Sequence, residues 1–260
     1  MNAQHRILAI GVTLISRVLI LRDRILRRVA PPITPEKPIS VSRHTIQSGR
    51  NLIDTVFVTP DTNEVRANLL LCHGIGETVE HWFVVQQLLA SSGVATLVFN
   101  YSGFGRSTGL FSAPQAEQDA IAAFHRLREV ATPLPISILG LSLGSGIAAA
   151  IHPKVPAHRL VLCAAFTSLR KGAISIALPK FLRVAVPDIW DTENALRTCA
   201  MPILIVHGDR DRLFPVHMAE SLKVACAAYS ELVIIPGLAH NEPFYRPQAS
   251  YWSLIASRLI

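Results

Sequence analysis

The stretch Ile136-Ser137-Ile138-Leu139-Gly140-Leu141-Ser142-Leu143-Gly144 restricts the possible folds more than any other part of the chain. Residues 136–141 form an apolar run of strand length, and the small residues from Gly144 to Ala150 suit a helix. Ser142 therefore stands where a strand turns at once into a helix. So tight a bend strains its turn residue and leaves no room for neighbouring Cβ atoms, which accounts for Gly140 and Gly144. The Gly-x-Ser-x-Gly pattern is a way of presenting a hydroxyl. Three fixed letters in five recur by chance, so a base, an acid and an oxyanion site must come from elsewhere in the chain.

The rest of the chain supplies the expected framework. Residues 41–60 read as two strands joined near Ser48-Gly49, an antiparallel pair. Apolar strands are expected at 67–74, 95–100, 136–141, 159–166, 202–209 and 231–237, and helices at 80–92, 114–130, up to 151, and 247–258. Continuous apolar strands alternating with helices indicate a mostly parallel sheet covered on both faces. In such sheets ligands bind at the carboxyl ends of the strands. Residues 167–200 interrupt the alternation and are read as a small helical cap, with a long crossover connection as the alternative.

The chemically interesting residues fall at those carboxyl ends. His240 follows strand 231–237 and is the expected base for Ser142. Asp209 and Asp211 both follow strand 202–209; Asp211, further into the loop, is the expected orienting carboxylate, and either can serve as a turn-former. The chain order Ser142, Asp211, His240 differs from that of the other common serine triads. Oxyanion donors are expected from the amide of Leu143, directly after the serine, and that of Ile75 in His73-Gly74-Ile75-Gly76-Glu77. Each such donor is worth on the order of 3 kcal/mol. His73 reads as a loop-holding residue.

The segments "HGIGE", "FNYSGFGRSTG", "GLSLG", "HGDRDRLFP" and "GLAHNEPF", in this order, resemble the α/β-hydrolase superfamily, in particular small lipases, esterases and serine-aminopeptidase-like members. The resemblance covers about residues 45–258. It implies an α/β-hydrolase fold, mostly parallel central sheet flanked by helices, with a small helical cap. It also implies acyl transfer through Ser142, Asp211 and His240. "HGIGE" looks like the oxyanion loop of monoacylglycerol-lipase-like enzymes. The loop at 100–107 departs from the superfamily's D-x-R-G-x-G-x-S pattern. Asn100 and Ser102 replace its acid and arginine, which removes an ion pair and leaves Arg106 as the loop's only charge. An aminopeptidase would need acids to hold a free amine; Glu77, Asp188 and Asp191 are available.

Composition narrows the partners. The chain has 260 residues and a formal charge of +7, of which +5 lies in residues 1–30. The remainder is nearly neutral, which argues against nucleic-acid binding by a basic face. Residues 1–30 read as a basic amphipathic helix. Arg6, Thr13, Arg17, Arg24 and Arg28 share one side, and Ile7, Leu14, Val18, Leu21 and Ile25 share the other. Arg17 interrupts the apolar run well short of the ~20 residues a spanning helix needs. The pattern suits peripheral contact with an anionic membrane through residues 6–28. Docking on the domain and an exported or anchored form are the alternatives. Residues 31–40 read as a Pro-rich linker to a domain over 41–260. The expected location is cytoplasmic or on the inner face of a membrane. Cys72, Cys163, Cys199 and Cys226 have no metal-ligand spacing and read as free thiols. No metal or cofactor is called for. The implied substrate is an ester of a hydrophobic acyl group, with thioester or amide cleavage, or a catalytically silent binding protein, as alternatives.

Overall fold

The computed structural model describes residues 33, 38–175, 189–227 and 229–260. The amphipathic segment 1–30, most of the linker and residues 176–188 at the centre of the expected cap lie outside the described residues.

Eight strands form one sheet: β1 (Ile39–Ser48), β2 (Asn51–Pro60), β3 (Ala67–Cys72), β4 (Val94–Phe99), β5 (Ile136–Leu141), β6 (Leu160–Cys163), β7 (Ile203–Gly208) and β8 (Ser230–Ile235), in the spatial order β1-β2-β4-β3-β5-β6-β7-β8. The β1–β2 and β2–β4 pairs are antiparallel and the other pairs are parallel. The sheet is thus mostly parallel, and its hairpin turns at Gly49 and Arg50. Strand β1 starts at Ile39, inside the expected linker.

The helices are α1 (Val79–Ser91), α2 (Ala113–Val130), α3 (Leu143–Ile151), α4 (Leu169–Ser175), α5 (Thr192–Arg197), α6 (His217–Ala225), α7 (Glu242–Tyr245) and α8 (Ala249–Leu259). Their ends follow local chemistry. Thr78 and His81 form a capping box at the start of α1, and Gly93, with φ 85°, follows its end. Ser112 Oγ accepts the Gln115 amide at the start of α2, with Pro114 in the first turn.

Successive strand residues point to opposite faces, and both faces are apolar. Leu70, Leu97, Ile138, Ile203 and Ile205 pack with Ala120, Phe124 and Leu127 of α2 and Leu222 of α6. Leu69, Leu71, Val98, Leu139, Val161 and Val206 pack with Trp82 and Leu89 of α1 and Trp252 and Ile255 of α8. Each fully buried side chain of this size contributes about 1.5–3 kcal/mol.

Three elements differ from the sequence reading: β6, α6 and the short α7. β6 stops at Cys163, although the apolar run continues to Phe166. Ala164 has a φ of 46°, so the chain turns there, while Ala165 and Phe166 stay fully buried. Helix α6 was not anticipated; Met218, Ala219, Leu222 and Ala225 are its buried face at helical spacing. Of the expected cap, residues 167–175, which include α4, and 189–200, which include α5, are described. All four cysteines are free. Among the described residues no helix is long and apolar enough to cross a membrane, and no cluster has the makings of a metal site.

Candidate active site

Ser142 joins β5 to α3 with φ 53° and ψ −118°, a backbone conformation that L-residues rarely adopt. The packing around it explains the two glycines. A Cβ on Gly140 would run into the carbonyl of Gly144, and one on Gly144 into the carbonyl of Cys72. The start of α3 can therefore lie directly against β3 and β5. The Ser142 amide donates to Cys163 O at 3.0 Å, and Ser145 Oγ donates to Ser142 O at 2.6 Å, so the turn is held on both sides.

His240 and Asp211 come from the loops after β8 and β7 and meet Ser142. His240 Nε2 lies 2.9 Å from Ser142 Oγ, and His240 Nδ1 lies 2.6 Å from Asp211 Oδ2. A carboxylate accepts only, so the short Nδ1 contact places the imidazole proton on Nδ1 and leaves Nε2 to accept from the serine hydroxyl. Asp211 Oδ1 accepts the amides of Leu213 at 2.8 Å and Phe214 at 2.9 Å. Burial works to raise the Asp211 pKa. The hydrogen bond and charge of His240, with the Phe214 amide, outweigh it and hold the carboxyl below its usual value. All three side chains are buried.

Asp209, the other candidate acid, points elsewhere. Its Oδ1 accepts the Gly237 amide at 2.6 Å, which fastens the loop after β7 to the loop after β8. Gly208 permits that approach, since a Cβ there would strike Leu238 O. The sequence reading passed over His207 and Phe214. His207 Nε2 donates to Phe214 O at 2.8 Å and lies 3.5 Å from Asp211 Oδ2. Burial lowers the His207 pKa against the opposing pull of Phe214 O and Asp211, which keeps the ring neutral. Phe214 packs edge-on against the His240 ring, with centroids 5.0 Å apart. Both lie within "HGDRDRLFP", so proximity to Asp211 in sequence was the available signal.

Of the two expected oxyanion donors, one directly follows the serine and the other lies in the loop after β3. Leu143 is the first residue of α3, and its amide has no backbone acceptor among the described residues. Ile75 lies in the turn Ile75-Gly76 after β3, where Gly76 has a φ of 79°. Gly74 sits beside the serine: a Cβ built on it would lie 3.4 Å from Ser142 Cβ. His73 is fully buried, packs on Tyr101 with ring centroids 4.4 Å apart, and pairs through Nδ1 with Gly74 O at 2.8 Å. Burial pushes its pKa down to about 4, so it holds the loop as a neutral ring.

The departures in the 100–107 loop are absorbed by hydrogen bonds to acids elsewhere in the fold. Asn100 Nδ2 donates to Asp54 at 2.8 Å, and Asn100 Oδ1 accepts the Val79 amide at 3.0 Å. Asp54 is paired in turn with Arg43 at 2.6 Å, so the ion pair has moved to the β1–β2 hairpin. Ser102 donates its amide to Asp119 at 2.7 Å. The acids available for an amine are engaged: Asp191 caps α5 through the Asn194 amide, and Glu77 is buried. Asp188 lies outside the described residues. A groove of about 170 Å³ behind the His240 loop, lined by Ile235, Leu238, Pro243, Tyr251 and Leu254, stands apart from the serine.

A hydroxyl on a strained turn, an oriented imidazole and a buried carboxylate make up the chemistry of a nucleophilic acyl-transfer site. The family model described as "Serine aminopeptidase, S33" matches residues 63–193, half of the chain. The chain belongs to this family of α/β-hydrolases. "Uncharacterized protein Rv2307c" of Mycobacterium tuberculosis is 30% identical over 179 residues, which is 67% of this chain and 63% of the relative. "Lysophosphatidylserine lipase ABHD12" of Danio rerio is 24% identical over 215 residues, 73% of this chain and 56% of the relative. The chain thus spans less than two thirds of the length of these relatives. Among solved structures, the Pyrococcus furiosus esterase Pf2001 aligns with a TM-score of 0.69 at 17% identity, over 88% of this chain and 96% of that one. A soluble variant of monoglyceride lipase from Saccharomyces cerevisiae aligns with a TM-score of 0.67 at 17% identity, over 88% and 98%. At such identities the structural likeness speaks for the fold.

Proposed function

We propose that the protein is a serine hydrolase that cleaves carboxylic esters of hydrophobic acyl groups through an acyl-enzyme. Ser142 Oγ attacks the acyl carbonyl while His240 Nε2 takes its proton. Asp211 keeps the imidazole in the Nδ1–H tautomer and stabilises the imidazolium that forms. The Leu143 and Ile75 amides receive the oxyanion. The tetrahedral intermediate collapses as His240 protonates the leaving alcohol, and water, deprotonated by the same imidazole, releases the acid and restores Ser142. The observation that carries this reading is the continuous relay of 2.9 Å and 2.6 Å from serine to imidazole to carboxylate at a strained strand–helix turn.

Ester cleavage is favoured over aminopeptidase action because Glu77 and Asp191, two of the three acids available to hold an amine, are already engaged within the protein. The lipase names among its relatives and structural neighbours favour a lipid-like ester. Peripheral membrane contact through residues 6–28 would bring the site to such a substrate. The test is hydrolysis of p-nitrophenyl esters from two to sixteen carbons, with Ser142→Ala as the blank, beside labelling by a fluorophosphonate. A Ser142-dependent rate with an optimum at long chains is the expected result. Absence of both turnover and labelling in folded protein overturns the nucleophile assignment. Turnover of amides alone would favour the aminopeptidase reading.

A further inference from the structure

Glu77 takes no part in the mechanism above, yet it lies beside the serine. It is 3% exposed. Its Oε2 accepts two N–H groups, the Gly74 amide at 2.9 Å and Trp82 Nε1 at 2.7 Å. Gly74 is held between this carboxylate and Ser142. A Cβ added to it would run into Glu77 Oε1 on one side and approach Ser142 Cβ on the other. The next amide along the chain is that of Ile75.

A glycine without a Cβ is free to rotate its flanking peptide groups, and an oxyanion donor must not. An oxygen that accepts two N–H groups at 2.9 and 2.7 Å is well suited to fix Gly74. The other donor on the same oxygen is itself fixed. The Trp82 ring is fully buried, stacks on Phe244 with centroids 6.5 Å apart, and meets Trp252 edge-on at 5.8 Å. Phe244 belongs to α7, which begins two residues after His240. In that helix Glu242 accepts the Ala239 amide at 2.8 Å, and Pro243 O accepts from Trp252 Nε1 at 2.9 Å. A continuous line of contacts thus runs from the loop after β3, through Glu77 and Trp82, to the loop that carries His240.

We propose that Glu77 is a positioning residue: it aims the Ile75 amide at the oxyanion and, through Trp82 and Phe244, sets that amide in register with His240. The inference rests on the ester-hydrolase reading. Its test uses the full chain, with kcat and KM on p-nitrophenyl butyrate, the rate of inactivation by a fluorophosphonate, and thermal unfolding. Glu77→Leu removes the acceptor at similar volume. It is expected to lower kcat and the inactivation rate together by about 100-fold, the effect of losing one oxyanion donor, with KM within about twofold. Glu77→Gln, whose amide oxygen can accept both N–H groups, is expected to recover to within about fivefold of wild type. Trp82→Phe, which keeps the Gly74 bond, is expected to lower kcat about threefold at unchanged KM.

A folded Glu77→Leu protein with kcat within threefold of wild type overturns the proposal, as does a Glu77→Gln protein no better than Glu77→Leu. If Glu77→Leu does not fold, Trp82→Phe decides: lowered kcat at unchanged KM supports the role, and unchanged kcat overturns it. Wild-type protein without Ser142-dependent turnover breaks the functional reading itself. Wild-type turnover with an indifferent Glu77→Leu breaks only this inference.

Discussion

Asp211 and Glu77 are both buried carboxylates set just beyond the end of a parallel strand, and each accepts a backbone amide of its own loop. Asp211 follows β7 and takes the amides of Leu213 and Phe214; Glu77 follows β3 and takes that of Gly74. They differ in a side-chain donor that each receives. Asp211 Oδ2 receives an imidazole, a group that can become a cation, whereas Glu77 receives the indole of Trp82, which cannot. One fold therefore uses one device in two ways. Where the donor titrates, the carboxylate can answer charge that develops during reaction; where the donor is a neutral indole, that bond serves to fix geometry.

The largest expected effect follows from that difference. Asp211→Asn should lower kcat about 10⁴-fold, because an amide in place of the carboxylate invites the wrong imidazole tautomer. The neutral exchange at Glu77 should cost only a few-fold, since its partners need an acceptor and not a charge. Steady-state rates on one p-nitrophenyl ester compare the two. Similar losses at both positions would mean that the charge of Glu77 matters too, and the contrast between the loops would fall. Asp209→Asn is the internal control: Asp209 touches Gly237 and not His240, so kcat should stay within about threefold while thermal stability drops by roughly 1 kcal/mol.

A geometric variant comes next. Gly74→Ala places a methyl group between the Glu77 carboxylate and Ser142, where one side must give way. Displacement of the Gly74–Ile75 segment should lower kcat by about 100-fold, the scale of one oxyanion donor, with Ser142 and His240 still in contact. Gly237→Ala offers the counterpart near the other loop. A Cβ there meets nothing within 4 Å, but φ is 77°, so the cost is backbone strain of about 1 kcal/mol rather than a clash. Kinetics and melting temperatures of the pair separate steric from conformational demands. Equal rates in the two variants would show that the β3 loop needs no exact placement.

The sequence made the framework readable wherever apolar residues follow one period. β5 has the bounds that its apolar run suggests, because both sheet faces are covered and every position in the run is buried. The same signal misleads beyond Cys163. Ala164, Ala165 and Phe166 are buried as strand residues are, but they are buried under neighbouring elements while the chain turns, and hydrophobicity does not distinguish the two. At the site, Ser142, Asp211 and His240 were approachable from sequence because each stands at a strand end within a distinctive loop. The work of Glu77 was not, because it depends on a tryptophan five residues away and on a phenylalanine from the far end of the chain. The Arg43–Asp54–Asn100 arrangement was hidden for the same reason: the loss of an acid at position 100 is visible locally, whereas its replacement comes from another strand pair.

Acid separates the two loops, because they respond in different pH windows. His73, in the β3 loop, has its folded pKa lowered to about 4 by burial, against about 6.5 in the unfolded chain. The unfolded state therefore binds the proton first, and stability falls as pH drops from about 6.5 towards 4, by up to about 3 kcal/mol. His207 and His152 have lowered pKa values and act in the same direction. Asp211, in the β7 loop, is also lowered, but it is a carboxylate. Its contribution is complete above the unfolded value near 3.9 and is lost only as pH falls below that, through the folded pKa. Urea unfolding at pH 7, 5.5 and 4.5 should therefore show a loss that His73→Phe reduces and Asp211→Asn leaves in place. An undiminished loss in His73→Phe would place the acid sensitivity in the other buried histidines. A loss that vanished in Asp211→Asn would instead tie it to the carboxylate and end the separation of the two loops by pH.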